Sequence, residues 1–182
     1  MNEHKTLHWR TMSTPIEPLT IAWGPDGLIQ ADFTNSIDLA RPFVERHNLG
    51  VLDARQTRGS EIEQVLQRYF AGDLDALDEI PVAPIGSAFS CRVWRELCRI
   101  PAGSTKTYGE IAGILQSPGA ARAVGMACHN NPIGLVVPCH RVVGHSGKLT
   151  GYAGGIHIKA WLLSHEGVAV DTIEDRQIVL FE

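Results

Sequence analysis

The run Val137-Pro138-Cys139-His140-Arg141-Val142-Val143-Gly144 sets a thiol, an imidazole and a guanidinium side by side in an otherwise apolar stretch. Pro138 fixes the backbone immediately before the sulfur. Only the thiolate of a cysteine is a strong nucleophile, and neighbouring cationic or proton-accepting groups raise its population at neutral pH. The fold of the whole chain is therefore constrained to present Cys139 to something.

A chain of 182 residues with 44% hydrophobic residues is long enough for one compact domain or two small ones around a sizeable core. Near-zero mean hydropathy and the lack of any apolar run of about 20 residues exclude a helical membrane span. Met1-Asn2-Glu3-His4-Lys5 lacks the charged-then-apolar layout of a secretory signal. Cys91, Cys98, Cys128 and Cys139 include no CxxC pair, so neither a disulfide framework nor a zinc site is expected. Reduced thiols in the cytoplasm are the simplest reading.

The net charge of −4 hides an asymmetry. Residues 85–165 carry Arg92, Arg95, Arg99, Lys106, Arg122, Arg141, Lys148 and Lys159 against Glu96 and Glu110, or +6, leaving −10 for the remainder. Such segregation suits a polyanionic partner on one face; the plainer reading is an ordinary solvated surface.

Residues 1–18 read as polar and irregular. The stretch 19–33 reads as strand, turn and strand around Gly24-Pro25-Asp26-Gly27. Ser60 and Glu63 form a capping-box pattern ahead of Ile62, Leu66, Tyr69 and Phe70, and Gly72 closes that helix. The acidic stretch 73–79 reads as a linker, with a domain boundary near residue 83. In the second half, Phe89, Val93, Trp94 and Leu97 share one face of a helix over 88–99. Thr107 and Glu110 cap a second helix, and Ser117 with Pro118 starts a third over 118–129. The last two have the length of a helix-turn-helix unit. Residues 135–137 read as a short buried strand leading into Cys139, and 156–165 as a helix ended by Gly167.

The third helix is slim. Ala120, Ala121, Ala123, Gly125 and Ala127 leave Arg122 as the only long charged side chain in its middle. A slim helix lets its backbone approach a ligand closely, and a lone arginine can contact phosphate or act as a wedge between bases. Tight packing against a neighbouring helix explains the same alanines equally well. Cys139 could likewise be a small buried hydrophobe. Its neighbour His140, the His165-Glu166 pair and the turn at Asn131-Pro132 favour an activated thiol, since a histidine between a thiol and a carboxylate is the general means of activation. Cys91, Cys98 and Cys128 lack such company and read as core or packing residues.

These residues carry a specific resemblance. Val137-Pro138-Cys139-His140-Arg141-Val142 is similar to the active-site signature of the O6-alkylguanine-DNA alkyltransferases, or methylated-DNA–protein-cysteine methyltransferases. Thr107-Tyr108-Gly109-Glu110-Ile111-Ala112, Ala121-Arg122-Ala123-Val124-Gly125, Asn131-Pro132, Gly151-Tyr152-Ala153-Gly154-Gly155 and the block 159–167 follow the same family's order and spacing. The match spans about 85–167, and the N-terminal half fits only loosely.

The resemblance implies an α+β chain: a strand-rich, RNase H-like domain over 1–83, then a mostly helical winged-helix or helix-turn-helix DNA-binding domain over 84–182. It implies direct reversal of DNA damage, in which the alkyl group of O6-alkylguanine, and less well O4-alkylthymine, passes irreversibly to Cys139 after base flipping. His140, through a water, and Glu166 would deprotonate the thiol, with Asn131 hydrogen-bonding nearby. Arg122 would fill the space of the extruded base, Tyr108 would crowd the target phosphate, and Ala121, Ala123 and Gly125 would let the helix into the minor groove. Tyr152, Val142 and Gly154 would border the guanine pocket. No cofactor and no metal are expected. The expected partner is double-stranded DNA carrying O6-alkylguanine, bound by a cytoplasmic monomer whose cooperativity along DNA the sequence leaves open. Two other readings compete: a non-reacting alkyltransferase-like lesion-binding protein, which would lack the acceptor cysteine, and a thiol hydrolase, which leaves Arg122 and the slim helix without a purpose.

Overall fold

Gly24-Pro25-Asp26-Gly27 turns the chain tightly enough that only glycine fits at its end. Gly27 has φ +125°, and a Cβ there would meet the Pro81 carbonyl oxygen at 2.4 Å. The computed structural model describes residues 6–34, 41–53 and 58–169; residues 1–5 and the acidic stretch 171–175 lie outside them. The turn joins β2 (Leu19–Gly24) to β3 (Gly27–Phe33) as antiparallel partners. β2 is buried along its whole length. Leu19, Ile21 and Trp23 face the main core, while Ala22 joins Leu7, Ile29 and Val44 in a smaller cluster, which is the period-two alternation of a strand covered on both faces.

The polar start is irregular only over 13–18 among its described residues. Thr6–Met12 forms β1, antiparallel to β2 and parallel to β4 (Val51–Asp53), giving the order β3-β2-β1-β4. Only Leu7 and Met12 of β1 are buried, so its pairing comes from distant strands and leaves little local apolar pattern. The short helix α1 (Arg41–Arg46) places Val44 in the smaller cluster.

Helix α2 (Arg58–Phe70) begins two residues before Ser60, so the expected capping box is not its start; Glu63 pairs instead with Arg10 at 2.7 Å. Gly72 follows the helix with φ +105°. The stretch 73–79 is no loose linker: Ala76 and Leu77 are buried in a 3-10 turn, and Arg68 bridges Asp73 and Glu79. Leu28 pairs with Val82 across the sheet edge, and the main core runs unbroken from Leu19 and Leu28 to Leu97, Ile111, Val137 and Leu162.

Helix α3 (Ala88–Leu97) is capped by Ser87, whose hydroxyl accepts from the Ser90 N–H at 3.1 Å, an arrangement that contributes about 1 kcal/mol. The expected capping box opens α4 (Tyr108–Ile114): the Glu110 N–H donates to Thr107 Oγ1, and the Thr107 N–H to Glu110 Oε2. Helix α5 (Ala121–His129) packs on α3 and α4, anchored by the Trp94 indole N–H donating to the Ala127 carbonyl at 2.8 Å. It starts later than expected. The Ser117 hydroxyl is occupied with the Leu115 carbonyl, and residues 117–120 form a turn closed by the Ala120 N–H.

Residues 135–137 are not a strand. They form successive turns, with Leu135 at φ +71°, that deliver Cys139 to the start of a 3-10 turn, Cys139–Arg141. Val142–Val143 (β6) then pairs in parallel with Lys106–Thr107 (β5). Helix α6 (Ile156–His165) ends as expected, Gly167 adopting φ +80°. The chain is thus α+β. No described helix is long and apolar enough to cross a membrane.

Candidate active site

Glu166, just past the end of α6, is a buried carboxylate with four donors around it. The Tyr69 hydroxyl donates to Oε1 at 2.9 Å, His140 Nε2 lies 3.0 Å from the same oxygen, and Arg141 donates from Nη2 to Oε1 at 2.8 Å and from Nε to Oε2 at 2.9 Å. Burial works to raise its pKa, but the hydrogen bonds and charges of His140 and Arg141 outweigh it and hold the group at about 2. Arg141 is itself only 4% exposed and spends its remaining Nη1 on the Ile100 carbonyl at 2.6 Å.

This arrangement fixes the state of His140. Full burial lowers its pKa, with Glu166 pulling the other way, so the ring is neutral at pH 7. A carboxylate only accepts, which puts the ring proton on Nε2 and leaves Nδ1 as a bare acceptor. Nδ1 is buried and has no hydrogen-bond partner among the described residues. A neutral imidazole, backed by a carboxylate and with one unused basic nitrogen, is equipped to take a proton.

The thiol lies on the preceding residue, Cys139. Asn131 forms a local turn in which its Oδ1 accepts the Ile133 N–H at 3.1 Å. That contact orients the amide, because the N–H can only donate, and turns Nδ2 toward the Val137 carbonyl at 2.8 Å and Cys139 Sγ at 3.2 Å. Burial pushes the Cys139 thiol up, while the Asn131 amide and the Lys159 ammonium draw it down. Lys159 is wholly buried and has no carboxylate partner among the described residues; its Nζ donates to the Val142 and Thr150 carbonyls at 2.5 and 3.0 Å. The sulfur lines a cavity of about 190 Å³ with Ala31, Asp32, Cys128, Asn131, Tyr152 and Gly154 among its walls.

Residues 88–168 match the family model for the DNA-binding domain of 6-O-methylguanine DNA methyltransferase. A methylated-DNA–protein-cysteine methyltransferase of Methanosarcina acetivorans is 41% identical over 164 residues, which cover 88% of this chain and 99% of that protein. The chain belongs to the methylated-DNA–protein-cysteine methyltransferase family. Solved members of that family share its fold. The O6-methylguanine methyltransferase of Mycobacterium tuberculosis superposes with a TM-score of 0.73 at 40% identity, covering 91% of this chain and 96% of that one. Mycobacterium tuberculosis OGT in complex with DNA gives 0.72 at 41%, covering 87% and 92%.

In this methyltransferase the fold brings Cys139, His140, Asn131 and Glu166 together. It does not do so for His165, whose ring stacks on Trp161 and whose Nε2 meets the Tyr69 carbonyl at 2.8 Å. Arg122, Ala123 and Met126 stand exposed on α5, with Met126 59% exposed, while Val124, Ala127 and Cys128 face inward. Gly125 keeps the helix close to Tyr108, the ring lying 3.8 Å from where a Cβ would be. Tyr108 accepts a hydrogen bond from the Thr150 hydroxyl at 3.1 Å, leaving its own proton free to donate. Tyr152 and Gly154 line the cavity, and a Cβ on Gly154 would press on the Tyr152 ring at 3.1 Å. Val142 is not part of the lining; it is buried in β6, its carbonyl held by Lys159. Cys128 is buried in the main core as expected and also borders the cavity, whereas Cys98 is exposed and is not the packing residue expected.

Sequence reasoning missed three contributors. Arg141 and Lys159 counted there as surface charge, yet both are buried and internal. Removing them leaves Arg92, Arg95, Arg99, Lys106, Arg122 and Lys148 to meet a polyanion. Tyr69, which reaches Glu166 across 97 positions of sequence, left only a helical apolar signal.

Proposed function

We propose that this chain repairs O6-alkylguanine in duplex DNA by moving the alkyl group, once and irreversibly, onto Cys139. The observation that carries the proposal is the buried Glu166–His140 pair, with His140 Nδ1 unpartnered among the described residues and the adjacent residue, Cys139, lining the cavity. In the resting state the thiol is protonated. On reaction its proton passes by way of a water to His140 Nδ1, and the Glu166 carboxylate stabilises the resulting imidazolium through Nε2–H. The sulfur lone pair attacks the alkyl carbon, the carbon–oxygen bond breaks, and its electrons leave on the guanine oxygen. A hydroxyl such as that of Tyr108 donates to that oxygen as charge develops, and the proton first taken from the thiol completes the guanine. The product thioether has no activated leaving group, so each molecule acts once. O4-alkylthymine follows the same route less well.

The base must leave the stack to reach Cys139, at a cost of a few kcal/mol. The slim exposed face of α5 suits the minor groove, and Arg122 at its start fills the gap left by the extruded base. Phosphate contacts from the exposed basic residues supply affinity without reading sequence. Intact-mass analysis after incubation with an O6-methylguanine duplex tests the proposal. One methyl group on Cys139, absent from Cys139→Ala, is the expected result; binding to the duplex with no adduct would leave only the lesion-binding reading.

A further inference from the structure

Tyr108 stands where three parts of the C-terminal half meet. It opens α4, its ring lies against Gly125 of α5, and its hydroxyl reaches the loop between β6 and α6. The partner there is Thr150, whose hydroxyl donates to Tyr108 Oη at 3.1 Å. Thr150 is itself held at two other points. Its carbonyl accepts from Lys159 Nζ at 3.0 Å, and its Cγ2 methyl packs so closely on Gly144 that a Cβ there would lie 3.1 Å away. The loop behind it is closed by the Gly144 N–H, which donates to the Lys148 carbonyl at 2.8 Å. Burial pushes the Tyr108 hydroxyl up, Thr150 draws it down, and negative charge on Cys128 or Cys139 adds to the rise. The phenol therefore keeps its proton at neutral pH, within electrostatic reach of the acceptor sulfur.

A phenolic proton lies in the plane of the ring and has two directions open to it. A donor on one side of the oxygen takes that lone pair and turns the proton to the other side. It also polarises the O–H, because hydroxyls linked in a chain strengthen one another. We propose that Thr150 is a positioning residue for alkyl transfer: by donating to Tyr108 Oη it aims the Tyr108 proton at the guanine as it departs. This rests on the alkyl-transfer reading above and concerns its bond-breaking half. Sulfur forms its bond to the alkyl carbon, the electrons of the carbon–oxygen bond collect on the guanine, and the Tyr108 hydrogen bond to that base strengthens as they do. Lys159 thus serves both ends of the reaction: its ammonium draws the Cys139 thiol down and holds the carbonyl of the residue that orients Tyr108.

The test compares single-turnover rates at saturating duplex for Thr150→Val, which keeps the shape without the hydroxyl, and Thr150→Ser, which keeps the hydroxyl. The duplexes carry O6-methylguanine or its 8-aza analogue, whose extra ring nitrogen makes the departing anion less basic and less dependent on a donor. Thr150→Val should slow transfer from O6-methylguanine by about two- to tenfold, the size of one hydrogen bond, with duplex affinity unchanged. It should slow the 8-aza substrate less, and Thr150→Ser should restore most of the rate. In a Tyr108→Phe background, Thr150→Val should have no further effect. Equal slowing of both substrates, further slowing in the Tyr108→Phe background, or an unchanged rate in Thr150→Val would overturn the assignment while leaving alkyl transfer intact. Absence of any Cys139 adduct in the wild-type protein with either duplex would overturn both.

Discussion

Arg141→Ala removes more than a charge. Three hydrogen bonds disappear, two to the Glu166 carboxylate and one to the Ile100 carbonyl, and among the described residues the Glu166 carboxylate keeps only Tyr69 and His140 as donors. Truncating one member of a buried pair strands the other charge and typically costs about 3–5 kcal/mol. In a protein of this size each kcal/mol moves the melting temperature by about 2–4 °C, so a fall of about 6–20 °C is expected. Arg141→Lys should lie between, because an ammonium cannot span both carboxylate oxygens and the carbonyl together. Arg141→Met with Glu166→Gln removes both charges and should cost clearly less than the sum of the single changes. Thermal unfolding followed by circular dichroism reads the wild-type protein, these variants and the two single changes Arg141→Met and Glu166→Gln. A melting temperature for Arg141→Ala within about 2 °C of wild type would refute the view that Glu166 depends on Arg141.

Four further outcomes follow from the same geometry. Lys159→Met should slow alkylation of Cys139 and move its pH–rate profile upward, since it removes a cation that draws the thiol down; an unmoved profile measured with a free O6-benzylguanine-type base would show the lysine to be purely structural. Glu166 is held at about 2 against an ordinary 4.5, so its contribution of about 3 kcal/mol is complete above pH 4.5 and fades as pH falls toward 2; His140, lowered from 6.5, likewise withdraws stability below that value, and chemical denaturation between pH 7 and 3 should show a monotonic decline. Arg122→Ala should slow transfer from duplex DNA by about ten- to a hundredfold, the scale of the base-flipping cost, and leave reaction with the free base unchanged; equal losses would remove Arg122 from that role. With six exposed or half-exposed basic residues remaining on the 85–165 segment, the slope of log affinity against log salt should be no steeper than about −5.

Features that depend on neighbours in sequence were legible there. The Thr107–Glu110 capping box, the Gly24–Gly27 turn and the glycine stop at Gly167 all stand where the residues place them. Features set by distant partners were not. β1 is a strand because β2 and β4 flank it, and Ser117 fails as a cap because its hydroxyl serves the preceding helix. The segment before Cys139 looked like a strand from its valines, but the Asn131 turn and the left-handed Leu135 fold it back. At the site, Cys139, His140, Asn131 and Glu166 were visible as residue types, whereas Arg141 and Lys159 read as surface charge because burial leaves no mark on a single lysine or arginine. Asp32 and Tyr69 were hidden for another reason: they reach the site only through tertiary packing of the N-terminal sheet and helix.

The central claim is that Cys139 is an acceptor spent in one reaction. Intact-mass measurement with excess O6-methylguanine duplex tests it directly. The account predicts one methyl group per molecule, located on Cys139 by peptide mapping, with no further transfer after the first equivalent. Multiple turnovers per molecule, or an adduct on Cys98 or Cys128 instead, would contradict it.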